Sequence, residues 1–338
     1  EAIKGNITQF ETTEAVASHY HSLMENPVWG LSFHFFFLLL CLSVLMCGVR
    51  KGIERGNKIM MPMLFAVLIL LVIKGLTMPN AEKGLRFLLT PDWSMLTPKT
   101  FLFALGQAFF TLSLGQGTMV TYGSYLGRDE NLIKSCIPVV IMDTLVSLLS
   151  AIAVFTIVFS VGMEPDSGPG LIFHTIPWAF SQITYGHGLA VLFFLLVVLA
   201  AITSEISAME PTIAYLIDTK GWKRSNAVIA CGIGAFLLGV PSALSYSLFK
   251  NVTWSGMTYL DIMDFLTTSF LIPIGGFFAV VLVGWVWGVP NALIQLRRGT
   301  FDLFEKKPWI AKYFWFCFKF SAPILMIVVF LDALGIFR

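Results

Sequence analysis

With 338 residues, 57% of them hydrophobic and 12% charged, and a mean hydropathy of +0.80, the chain is too apolar for a water-soluble protein, whose charged share is about a quarter. A net charge of +2, with no basic tract and no zinc-ligand spacing, excludes nucleic acid as the expected partner. Cys41, Cys47, Cys136, Cys231 and Cys317 lie mostly in apolar stretches without a disulfide or metal framework, and no HExxH, GxSxG or P-loop spacing points to an enzyme.

The chain opens on Glu1 with no signal-peptide pattern, which reads as a processed or trimmed sequence. Residues 1–27 are polar and acidic, carry Glu1, Glu11, Glu14 and Glu25 against Lys4, and read as an external loop. Eight membrane-length segments follow, near 28–49, 58–78, 99–125, 133–161, 186–217, 224–245, 257–287 and 308–334, so the fold class is all-α and polytopic. Residues 79–98 read as a second external loop. Between the fourth and fifth segments, GPGLIFHTIPWAFSQI (168–183) is too short and too marked by Pro and Gly to span, and predicts a re-entrant helical hairpin.

The third segment is unsuited to an unbroken helix. Its centre carries Ser113, Gly115, Gln116 and Gly117, and each glycine costs about 1 kcal/mol relative to Ala in a helix interior. Freed backbone groups at membrane depth are tolerable only against protein or a hydrated cavity. A broken helix there offers carbonyls from its first half and amides from its second, as half of a mid-membrane binding site would; a glycine-kinked, closely packed helix is the other reading.

Basic residues set the orientation. Arg50, Lys51, Arg55 and Lys58, then Arg128 and Lys134, then Lys220, Lys223 and Arg224, then Arg297, Arg298, Lys306, Lys307 and Lys312 place 14 cations on alternate connectors. The opposite connectors and both ends hold seven: Lys4, Lys74, Lys83, Arg86, Lys99, Lys250 and Arg338. The richer side is read as cytoplasmic, with both ends of this chain outside.

Asp143, Glu205 and Glu210 stand inside spans, where a charge costs at least ~2.5 kcal/mol on insertion scales. Asp143 and Ser147 share a helix face, and Asp143 reads either as a hydrogen-bonded structural carboxylate or as an ion ligand. Ala200, Thr203 and Ser204, at i, i+3 and i+4, put a carbonyl and two hydroxyls on one face, a hard-oxygen set suited to an alkali cation. The same small residues, with Ala201, Ser207 and Ala208, would equally make a close helix-packing face. Phe110, Ser113 and Gln116 read either as a ligand pocket or as packing. Asp261 and Asp264 open the seventh segment, where acids favour a helix N-terminus.

GQAFFTLSLGQGTMVTYGSYL (106–126), LAAITSEISAMEPTIAYLID (199–218), GIERGNKIMMP (52–62) and DIMDF (261–265) resemble the neurotransmitter:sodium symporter family, in its bacterial amino-acid-transporter branch. The resemblance runs through nearly all of the chain. It implies the inverted-repeat sodium symporter fold lacking its first three helices: 28–78 would be the last two helices of the first repeat, 99–287 the whole second repeat, and 288–338 a cytoplasmic loop and final helix. The implied function is sodium-coupled symport of an amino acid or related small amine, across the plasma membrane or bacterial inner membrane, by an N-terminally incomplete chain. The alternative is a non-transporting remnant or membrane interaction protein. The lipid bilayer is the other expected partner, and nothing in the residues speaks to oligomeric state.

Residue by residue, the resemblance implies that Phe110 is an aromatic lid, that Thr111 joins the substrate pocket to a first sodium site, and that Ser113, Gln116, Ser204 and Ala208 face substrate. Asp143 stands where the family usually has an Asn ligand of that first sodium. Ala200 by its carbonyl, with Thr203 and Ser204 by their hydroxyls, would hold a second sodium. Asp264 would be the acid of the external gate and Asp218 that of the internal gate, and Gly52 and Pro62 match the spacing of a helix start that unwinds to release sodium. A serine at the position of Ser147 marks chloride-dependent members. Asp143, one turn earlier, instead predicts charge compensation without chloride, with Gln107 and Ser147 as residual anion contacts. Gln116 replaces a usual aromatic or apolar wall, and Glu205 follows the sodium-site serine where a small residue is commoner.

Overall fold

Backbone that crosses hydrocarbon must satisfy its own hydrogen bonds, and the computed structural model of the chain is accordingly helical along nearly all of its described length. It describes residues 10, 12–127, 130–163, 165, 170–254, 256–298 and 301–334. Glu1, Lys4, Glu11, Arg128, Gly168, Pro169 and Arg338, named above, lie outside the described residues.

In chain order the helices are α1 (Thr13–Met24), α2 (Pro27–Met46), α3 (Arg55–Leu76), α4 (Ala81–Leu89), α5 (Pro98–Thr111), α6 (Thr118–Ser124), α7 (Leu132–Ser160), α8 (Ile176–Ser181), α9 (Gly186–Asp218), α10 (Arg224–Ala243), α11 (Tyr259–Leu266), α12 (Ile272–Val281), α13 (Val289–Arg297), α14 (Phe301–Lys306), α15 (Trp309–Phe316) and α16 (Ala322–Ala333). Wide π-type turns run into α3 (Val49–Glu54), join α11 to α12 (Thr267–Leu271), follow α12 (Leu282–Val286) and join α15 to α16 (Cys317–Ser321). Counting those turns with their helices, seven stretches among the described residues are long and apolar enough to cross a membrane: Pro27–Met46, Val49–Leu76, Leu132–Ser160, Gly186–Asp218, Arg224–Ala243, Tyr259–Val286 and Trp309–Asp332. The remaining expected span, 99–125, is divided between α5 and α6.

Local chemistry explains the starts. The Asn26 side chain accepts from the amides of Val28 (3.0 Å) and Trp29 (3.4 Å), with Pro27 in the first turn of α2 where its missing N–H is harmless. Thr97 and Thr100 form a reciprocal capping box ahead of Pro98 at the start of α5.

Three connectors differ from the sequence reading. Residues 1–27, read as a loop, carry α1, whose first turn is capped by the Thr12 hydroxyl accepting from the Ala15 amide at 3.1 Å. Residues 79–98 carry the short α4. The expected hairpin near 168–183 is, over its described part, one short helix in which a π-turn at Leu171–Thr175 runs directly into α8. Pro177 sits in the first turn of α8, a position it favours, so it starts that turn rather than reversing the chain.

The chain divides into two compact units, Glu1–Asp92 with Leu145–Leu260, and Trp93–Thr144 with Asp261–Arg338. The first holds two apolar clusters. One joins Leu68 and Leu71 of α3, Ile157 and Val158 of α7, Ile176 and Phe180 of α8, and Phe193 of α9. The other joins Leu38, Cys41 and Leu45 of α2, Ile202, Ile206 and Ile213 of α9, and Ala227 and Val228 of α10. In the second unit, α16 packs on α12 and α5, and buried Met326 lies against Gly276, where a Cβ would collide with its methyl group.

Candidate functional site

The second unit contains the break. α5 ends in a Schellman closure: the Leu114 amide donates to the Phe109 carbonyl (2.9 Å) and the Ser113 amide to the Phe110 carbonyl (3.0 Å). Ser113 occupies the left-handed position with φ 53°, a conformation that costs a non-glycine residue about 1 kcal/mol. Gly115 and Gly117 follow at φ 84° and 83°, and α6 begins at Thr118. Gly115 also has no room for a side chain: a Cβ there would collide with the Ile272 carbonyl and come within 2.9 Å of the Gly276 amide. The same approach is met from the other side, since a Cβ at Gly275 would strike the Gly115 carbonyl. The break is therefore held against α12 backbone to backbone, and the kinked-helix reading does not apply.

Two clefts flank it. One of about 460 Å³ gathers Gln107 and Phe110 of α5, Asp264 of α11, Thr268 and Ser269 of the following π-turn, and Asp332 of α16. Phe110 is half exposed there, and the Thr268 hydroxyl donates to the Asp264 carbonyl at 2.7 Å. The other, about 250 Å³, is lined by Ser113, Gly115, Gly117, Gly275 and Gly276. Thr111 closes α5, its hydroxyl donating to the Ala108 carbonyl at 3.4 Å, and Gln116 is partly buried in the break.

In the first unit, Thr203 on α9 donates its hydroxyl to the Ala200 carbonyl at 2.9 Å, which sets two hard oxygens side by side with lone pairs to spare. Ser204 and Ala208 are exposed, and the Ser204 hydroxyl has no hydrogen-bond partner among the described residues. These oxygens fit an alkali cation. Ala201 on the same face is exposed as well.

Asp143, on α7, is partly buried and makes no hydrogen bond or ion pair among the described residues; Ser147, one turn on, is exposed. Asp218, at the end of α9, is exposed too. The nominated set is thus divided: Gln107, Phe110, Thr111, Ser113, Gln116, Asp143 and Asp264 belong to the second unit, and Ser147, Ala200, Thr203, Ser204, Ala208 and Asp218 to the first.

A broken helix between membrane spans, closed on a glycine-lined neighbour, and an oxygen face on a second helix are the parts of an ion-coupled carrier. The family model described as the sodium:neurotransmitter symporter family matches residues 23–338. The chain belongs to this family. An uncharacterized sodium-dependent transporter, YhdH, of Bacillus subtilis (strain 168) is 38% identical over 318 residues, which are 94% of this chain and 69% of that protein. The sodium-dependent nutrient amino acid transporter 1 of Drosophila simulans is 28% identical over 92% of this chain, which spans about half (48%) of that relative. Among solved structures, MhsT in complex with L-phenylalanine superposes with a TM-score of 0.85 at 36% identity, over 98% of this chain and 74% of that one.

As a sodium:neurotransmitter symporter family member, the chain is a multi-pass protein of the cell membrane, the inner membrane in bacteria, and sodium-coupled transport rather than enzymology is its class of activity. Within the family fold, Gly52 is buried in the π-turn at Val49–Glu54, where a Cβ would collide with the Val44 carbonyl, and Pro62 lies inside α3. That start of the span is already wider than an α-helix.

Sequence reasoning missed several residues of this symporter, and for others it missed the surroundings. Thr268, Ser269 and Asp332 line the larger cleft, and nothing in their spacing marks them. Glu210 is fully buried and accepts both terminal nitrogens of Arg224 (3.0 and 2.8 Å), while Arg224 Nε donates to the Leu45 carbonyl at 2.8 Å. This intramembrane acid is a structural clamp of α2, α9 and α10. Glu205 is partly buried on α9, and on α2 the ring of His34 stacks on Phe236 with centroids 5.1 Å apart. His34 Nε2 lies 3.3 Å from the Phe236 carbonyl, which fixes it as the protonated nitrogen.

Proposed function

We propose that the chain carries sodium-coupled symport of an amino acid or related small amine. The break at residues 112–117 supports this reading best, because it leaves helix-end carbonyls beside Phe110, Ser113 and Gln116 at membrane depth. In this reading Phe110, Thr111, Ser113 and Gln116, with Ser204 and Ala208, contact substrate, and Asp264 and Asp218 serve the two gates. Thr111 and Asp143 serve one sodium; Ala200, Thr203 and Ser204 serve the other. Sodium supplies the driving force as co-transported cargo, and the residues supply oxygen ligands and orientation.

The nutrient amino acid transporter among the relatives and the phenylalanine-bound MhsT support an amino acid as substrate. Gln116 adds a donor and an acceptor, and Ala208 leaves room, which argues for a substrate with polar reach rather than leucine. Gln107, Asp143 and Ser147 are the charge-compensation set, and the carboxylate of Asp143 offsets sodium so that chloride is not required.

The test is a sodium-gradient uptake and competition panel of amino acids with the transporter in liposomes. Sodium-dependent uptake led by an amino acid with a polar or extended side chain is expected. Tightest binding of leucine or another aliphatic, unchanged by Gln116→Phe, refutes the pocket assignment; absence of sodium dependence for every amino acid refutes the function.

A further inference from the structure

Lys319 lies well inside the span Trp309–Asp332 of the second unit, ten residues from its start. Its ammonium lies 5.5 Å from the ring centroid of Trp285 and 5.3 Å from that of Trp315. No carboxylate pairs with it among the described residues.

The clamp is built by the backbone. The π-turns Leu282–Val286 and Cys317–Ser321 pack on each other, and Trp285 Nε1 donates to the Lys319 carbonyl at 3.2 Å. A Cβ on Gly284 would strike the Phe318 carbonyl, so the two turns meet main chain to main chain. Phe320 sets its ring edge-on to both tryptophans, 6.4 Å from Trp285 and 5.7 Å from Trp315. Both tryptophans remain open on their outer sides, 58% and 42% exposed. Wide π-turns recur at functional sites, and here they aim a cation outward between two amphipathic rings of the kind that sit at headgroup level.

A second cation shares the face of Lys319. Lys312, Trp315 and Lys319 stand at i, i+3 and i+7 on one helix face, and Lys312 is exposed near the start of the span. Two ammonium groups on one helix face, beside tryptophan walls and with no carboxylate paired to either among the described residues, complement a phosphate and repel a trimethylammonium group.

We propose that Lys319, held between Trp285 and Trp315 with Lys312 nearer the membrane surface, seats the phosphate of an anionic phospholipid. The rings flank the glycerol region, and the ammonium reaches outward along its stem to the headgroup.

Native mass spectrometry of the intact transporter in mild detergent, loaded with phosphatidylglycerol or phosphatidylcholine, reads the site. Wild type is expected to retain phosphatidylglycerol about fivefold better. Lys319→Arg keeps that preference and Lys319→Gln loses it. The proposal is overturned if wild type shows no preference, if Lys319→Gln keeps it, or if excess inorganic phosphate abolishes it, the last marking a free-anion site. Should Lys319→Gln fail to fold, quenching of wild-type tryptophan fluorescence by brominated phosphatidylglycerol decides. It must exceed quenching by brominated phosphatidylcholine, and the excess must vanish in Trp285→Phe/Trp315→Phe; an excess that persists overturns the site.

Discussion

Gly115→Ala tests whether the helix break is enforced by packing against α12 or only permitted by flexible residues. The glycine has φ 84°, which costs an alanine about 1–2 kcal/mol. The added methyl group also meets the Ile272 carbonyl and the Gly276 amide at 2.9 Å, and relieving that overlap costs about 1–3 kcal/mol more. The sum is about 2–5 kcal/mol, enough to lower the unfolding midpoint by several degrees. Gly123→Ala is the matched control within α6: nothing lies within 4 Å of its Cβ, so it gains up to about 1 kcal/mol of helix propensity. Thermal unfolding in detergent and sodium-driven uptake in liposomes are measured on both. Enforcement by packing predicts an unstable, poorly transporting Gly115→Ala beside an intact Gly123→Ala. A Gly115→Ala protein as stable and active as wild type refutes it, as does equal damage from the two changes.

Thr203→Val keeps shape but removes one of the two adjacent oxygens on α9, so the sodium concentration for half-maximal uptake should rise about tenfold without loss of thermal stability; an unchanged sodium dependence favours a packing role. Arg224→Met strands a fully buried Glu210 and should cost about 3–5 kcal/mol, much of it recovered in the Arg224→Met/Glu210→Met double variant, as chemical unfolding of both will report. Wild-type uptake should persist when chloride is replaced by gluconate, whereas Asp143→Asn should acquire a chloride requirement. Equal transport by Asp143→Asn with and without chloride contradicts the charge assignment.

Seven of the eight expected spans in their order, the break near Gly115 and the family itself were legible in the sequence. They depend on local quantities: the length of apolar runs, the cost of adjacent glycines and a motif's own spacing. The oxygen face of Ala200, Thr203 and Ser204 was equally legible, because a single helix sets that geometry through its period. Within the hairpin expected near 168–183, the described residues 170–181 run as one short helix, because Pro177 looks the same as a chain reversal and as the first turn of a helix until its neighbours are placed. Tertiary structure alone decided that Glu210 pairs with Arg224, that His34 stacks on Phe236, that Asp332 joins Asp264 in one cleft, and that Lys319 stands between two tryptophans. In each case the partner is supplied by another helix, or by a helix and a turn brought together by packing. Periodicity says which face a residue occupies, but only packing says what that face meets.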